Sequence, residues 1–186
     1  HGNMGGQDDF YKTNEQTEQA VAAMYGRVKG LYFTWFFTKN MLSDDAWCGG
    51  GSRGDNNSYE QLNEFTFDSS NGNVEGLFSG LYGIIYQSNL IIEKVADDTD
   101  VKKRAIAEAY FFRAWANFEL VTLWGTAPLV DHLLATGEYR QPNSTPEALW
   151  AVVESDLKEA IGMNALPSKK NKDDQETGMR VTQEVA

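Results

Sequence analysis

The stretch Ala105–Val130, AIAEAYFFRAWANFELVTLWGTAPLV, limits the possible folds more than any other part of this chain. Read at helical spacing, Ala105, Ala109, Phe112, Ala116, Leu120 and Leu123 share one face. Ile106, Tyr110, Arg113, Asn117, Val121 and Trp124 share a second face, with Arg113 and Asn117 as its polar members. Gly125 stops the helix and Pro-Leu-Val continues as an extended tail. A helix that is apolar on two opposite faces needs packing partners in front and behind. Stacked helical hairpins, as in tetratricopeptide-type solenoids, supply them.

The rest of the chain suits such an arrangement. Thr13 and Gln16 form a capping box, and a helix follows to about Lys29 with Gly30 as its stop. Leu31–Phe37 is nearly all apolar, which suits a buried strand or a buried helix alike, and a short helix or irregular segment is the favoured reading. Cys48–Ser58 is a loop by composition, Tyr59–Phe67 alternates weakly as an extended segment would, and Asp68–Gly72 is a turn. A long helix over 73–96 places Leu77, Leu81, Ile84, Ser88, Ile91 and Val95 on one face. The short acidic turn Asp97–Asp100 then folds it back onto the helix 101–124. Residues 131–143 are loop. Thr145-Pro146 opens a further helix, ending near Met163, with Leu149, Val153, Leu157 and Ile161 on one face. Residues 169–176 are charged and polar, so exposed or disordered, and 178–186 read as the opening of another helix. The class is mainly α, with tetratricopeptide-like hairpins and long irregular loops. At 186 residues one domain is the prior.

A net charge of −11 disfavours nucleic acid and anionic membrane surfaces as partners. With Cys48 as the one cysteine, an internal disulfide and a zinc site built from cysteine pairs are both excluded. No stretch is long and apolar enough to read as a membrane-spanning helix. Catalytic readings fare poorly. His132 lacks a G-x-S-x-G nucleophile, and the adjacent Asp44 and Asp45 point apart, unlike a glycosidase pair. Asp97, Asp98 and Asp100 are better explained by the helix dipole than by calcium. No cofactor, no metal site and no enzymatic activity are expected.

The string Ala107, Glu108, Ala109, Phe111, Arg113, Ala114, Phe118, Leu120, Trp124, Gly125, Pro128, Leu129, Val130 resembles the signature of the SusD/RagB family of outer-membrane nutrient-binding lipoproteins. Four more segments resemble that family in the same order: 9–25, the Ser-Asp-Asp segment Leu42–Trp47, Leu77–Asn89, and Thr145–Pro167. A Gly-Arg-x-[ST] stretch is matched loosely by Gly178–Thr182. The resemblance implies a SusD-like α/α superhelix of which residues 1–186 are the N-terminal part, with the C-terminal part absent. It implies a protein on the extracellular face of the outer membrane, held by a lipid anchor upstream of this chain. It also implies an oligosaccharide ligand handed to a SusC-like TonB-dependent transporter.

Sugar recognition needs a flat aromatic face for the C–H side of a pyranose and planar polar groups for its hydroxyls. The segment 45–59 offers both: Trp47 and Tyr59 as rings, and Arg53, Asp55, Asn56 and Asn57 as hydrogen-bonding groups. In the family this loop often contributes to the glycan site. The expected function is glycan capture without chemistry; the alternative is a helical-repeat scaffold or a peptide-binding relative.

Overall fold

A computed structural model describes residues 11–169 and 178–186. The chain divides into two compact units, residues 26–83 and the remainder. Among the described residues five helices carry the fold: α1 (Asn14–Met41), α2 (Asn57–Asn63), α3 (Gly72–Lys94), α4 (Asp100–Trp124) and α5 (Pro146–Gly162).

The ends of these helices follow local chemistry. The capping box at α1 is formed: Gln16 N–H donates to Thr13 Oγ1 (3.2 Å) and Thr13 N–H to Gln16 Oε1 (3.1 Å). Thr99 caps α4 by accepting from Lys102 N–H, and Thr145 caps α5 by accepting from Ala148 N–H, ahead of Pro146. Gly125, at φ 73°, ends α4 with its N–H on Val121 O.

In the larger unit, α4 is covered on both faces. Ala105, Ala109, Phe112, Ala116 and Leu120 are buried on one side; Ile106, Arg113, Asn117 and Val121 are buried on the other. Tyr25 of α1 meets Phe112 edge-on at 4.9 Å between ring centroids. Asn89 of α3 accepts a 2.8 Å hydrogen bond from Arg113, and α5 packs along α4. The Arg113 guanidinium also binds both oxygens of Asp156 on α5 at 2.7 Å and donates to Asp131 O at 2.6 Å. Burial works against its charge, but Asp156 outweighs it and raises the guanidinium further above its ordinary value. A second buried cluster joins Glu108 of α4 to Arg104 and Arg180. Arg180 also reaches Glu18 of α1, and Val181 N–H donates to Tyr25 Oη. Burial, then the charge of Glu108, pushes the Tyr25 phenol up to about 12.

In the smaller unit, Leu31, Met41, Leu62, Leu77 and Leu81 form the core. Gly80 of α3 lies directly against Leu31: a Cβ there would collide with Leu31 Cδ1.

Several sequence expectations are corrected. Helix α1 does not stop at Gly30 but runs on to Met41. A helical glycine costs only about 1 kcal/mol, and burial of Leu31 and Met41 offsets it. Residues 59–67 are not extended: α2 covers the first part, closed by Thr66 N–H on Gln61 O and by Phe65 at φ 53°. That left-handed stop is usually a glycine, so the sequence carries no signal for it. The loop reading of 131–143 missed a two-residue bridge, with β1 (Ala127–Pro128) antiparallel to β2 (Asn143–Ser144) and Ala127 opposite Ser144. On α5 the buried stripe is Leu149, Val153, Asp156 and Ala160, while Ile161 is exposed. The Asp156–Arg113 pair sets that rotation. Residues 178–186 form no helix; a single turn opens at Thr182, whose carbonyl accepts from Val185 and Ala186. The charged run 170–176 lies outside the described residues, as do Asp9 and Phe10.

Candidate functional site

The segment 43–64 in the smaller unit is built as a braced loop. Asn63, the last residue of α2, donates from its amide to Ala46 O (2.8 Å) and accepts from Cys48 N–H (3.3 Å). Those two bonds bracket Trp47, a residue that stands 77% exposed. Further on, Asp55 accepts from both the N–H and the hydroxyl of Ser52 at 2.9 Å. These bonds, the backbone one first, hold its carboxyl below the ordinary range. The carboxylate folds back so closely that a Cβ at Gly50 would sit 3.0 Å from Asp55 Oδ2. Gly54 is left-handed (φ 95°), which aims its N–H at both oxygens of Glu60 (2.8 and 2.9 Å). Arg53 lies on Glu64 at 2.7 Å.

Two clefts flank Trp47. One, of about 220 Å³, is polar and is lined by Gly49, Gly50, Ser52, Arg53, Glu60 and Glu64 together with Asn63. The other, of about 330 Å³, is more apolar and includes Phe33, Phe37, Met41, Asn56 and Tyr59. The Tyr59 and Phe37 rings are 5.7 Å apart, and Phe37 and Phe33 are 4.4 Å apart. Cys48 lines both clefts. Burial, then the charge of Glu60, raises its thiol pKa. At the other ring, burial and then Cys48 raise the Tyr59 phenol.

Of the six residues singled out in the sequence, Trp47 and Arg53 meet at the first cleft, and Trp47, Asn56 and Tyr59 at the second. Asp55 and Asn57 line neither; Asp55 shapes the glycine turn, and Asn57 is the exposed first residue of α2. Sequence reasoning missed Phe33, Phe37 and Met41, spaced at i, i+4, i+8 on α1, because it ended that helix at Gly30. It missed Glu60, Asn63 and Glu64 because it did not read 57–63 as helical.

The catalytic alternative at His132 meets a specific obstacle. Its Nδ1 faces Asp131 (2.8 Å) and its Nε2 faces Glu138 (3.3 Å), so both nitrogens are committed to carboxylates. Those bonds, to Asp131 first and then Glu138, raise the imidazole above 6.5. A raised value means that protonation ties the loop down below pH 6.5 and that this support is lost as the pH climbs through the folded-state value. An NMR titration of His132 is expected to show a midpoint above 6.5, falling back toward 6.5 in D131N/E138Q. An unchanged midpoint in that variant would refute the assignment.

Comparison with known proteins places this geometry in context. The profile of the SusD-like family described as "Starch-binding associating with outer membrane" matches residues 8–186. The SusD-like protein P38 of Formosa agariphila is 27% identical over 155 residues, covering 82% of this chain and 30% of that protein. A solved structure of a laminarin-binding SusD-like protein superposes with a TM-score of 0.78 at 28% identity, covering 93% of this chain and 38% of that one. Surface glycan-binding protein A from Bacteroides thetaiotaomicron, solved with laminarihexaose, has the same fold: TM-score 0.72 at 23% identity, over 92% of this chain and 36% of that one. The chain thus spans about 30% of the length of the curated relatives it matches.

Proposed function

The chain belongs to the SusD-like family, and from that premise we propose that it serves a surface protein that captures oligosaccharide by binding alone. On this reading residues 1–186 are the N-terminal part of a longer SusD-like domain, and further walls of the site come from outside them. The captured glycan passes to a SusC-like TonB-dependent transporter. The protein works at the extracellular face of the outer membrane, held there by a lipid anchor.

The observation that carries this reading is the exposed Trp47 ring between two clefts, with its backbone fixed on either side by Asn63. An exposed indole on a fixed loop offers the flat apolar face that a pyranose covers, and the surrounding polar groups suit its hydroxyls. A relative named as laminarin-binding lends support. Trp47→Ala is expected to weaken glycan binding at least about tenfold, roughly 1.4 kcal/mol, in calorimetric titration. Unchanged affinity would move the site elsewhere.

The apolar cleft of Phe33, Phe37 and Met41 favours a second reading, in which that cleft holds a peptide side chain. Titrating glycans and peptides side by side separates the two.

A further inference from the structure

We infer that the Trp47 cleft selects neutral oligosaccharides and rejects acidic ones, with Glu60 and Glu64 as the residues that set this preference. The inference rests on the glycan reading above.

The polar cleft carries one guanidinium and two carboxylates. The guanidinium is already compensated: Arg53 lies 2.7 Å from Glu64. Several strong donors on or next to this wall are engaged by the protein's own acceptors. Gly54 N–H is held by Glu60, the N–H and hydroxyl of Ser52 by Asp55, and the Asn63 amide by Ala46 O. Beside the outer N–H groups of Arg53, what the wall offers a ligand is mostly acceptor capacity: a carboxylate has about four lone-pair positions, and Glu60 and Glu64 each use only part of theirs. A sugar hydroxyl can donate to such a group. A uronate or a sulfate ester brings further negative charge and only acceptors, and it meets like charge in a chain of net charge −11. Arg53 meets Glu64 through Nη2, so an acidic group that approaches the outer donors of this guanidinium also meets the carboxylate already paired with it.

The test is an array of neutral hexasaccharides (gluco-, galacto-, manno- and xylo-linked) beside hexuronates, read for the wild type, W47A and E60Q/E64Q. The expected result is binding of at least one neutral glycan, lost in W47A, with every hexuronate at least about tenfold weaker. E60Q/E64Q should narrow that gap by about tenfold. A measurement on the unaltered protein guards against a misfolded variant: residual hexuronate affinity should rise with added salt, because screening relieves repulsion, while neutral-glycan affinity stays flat. Hexuronate binding that is as tight as neutral binding, sensitive to W47A and weakened by salt would keep the glycan site and overturn its preference. No W47A-sensitive binding of any glycan would remove the site, and the preference with it.

Discussion

Asp156→Ala is expected to destabilise the protein by about 3–5 kcal/mol, the usual cost of leaving half of a buried ion pair behind. In a chain of 186 residues that corresponds to a fall in Tm of about 6–20 °C. The reason lies in what Arg113 touches. Its guanidinium is buried and gives two hydrogen bonds to Asp156, one to Asn89 and one to Asp131 O. Asn89 in turn donates to His132 O at 2.9 Å. Removing the carboxylate strands a cation with only neutral acceptors, so α5 loses its register on α4 and the segment after β1 loses its anchor. The double variant R113M/D156L should recover part of the loss, since removing both charges also removes the desolvation penalty. Thermal unfolding checks both; a D156A loss below about 1 kcal/mol would show that the pair adds little.

The second large effect is expected at Arg180. Its guanidinium donates twice to Glu108 at 3.0 Å, and the Glu108 side chain is 0% exposed. Two charge-assisted bonds at about 1.5 kcal/mol each put the cost of Arg180→Ala near 3 kcal/mol, with Arg104 still on Glu108 to limit it. The loss should depend on pH. Burial outweighs the two guanidiniums and raises the Glu108 carboxyl above 4.5, and removing one cation raises it further. A raised folded-state value means that stability is retained below pH 4.5 and is lost as the pH rises through that value. R180A should therefore be hurt least in acid and most at neutral pH, and adding Glu108→Gln should flatten the dependence. Denaturant melts of the variants across pH 4 to 8 check this; a pH-independent loss would mean that Glu108 is not the group left unpaired.

What the sequence discloses about this molecule divides along physical lines. Helix caps and the two-faced α4 are legible because short-range spacing decides them: Thr13 with Gln16, Thr99, Thr145 before Pro146, Gly125. Burial at Ile106, Arg113, Asn117 and Val121 follows from the same periodicity. Features set by distant partners are not legible. The continuation of α1 past Gly30 depends on packing of Leu31 against Gly80. The rotation of α5 depends on Asp156 reaching Arg113, and hydrophobic periodicity ranks an aspartate as a surface position. At the candidate site, composition marks the loop but assigns every polar residue in it to a ligand. The structure commits Asp55 to Ser52 and Arg53 to Glu64, because a glycine-rich loop must first satisfy its own backbone and charges.

The Asn63 brace has an entropic consequence. One side chain closes a ring through Ala46 O and Cys48 N–H, so the peptide units on both sides of Trp47 are already ordered before anything arrives. A partner that settles on the indole then pays for its own immobilisation and for little of the loop's, and affinity at this position reports the contact surface with almost no folding term mixed in.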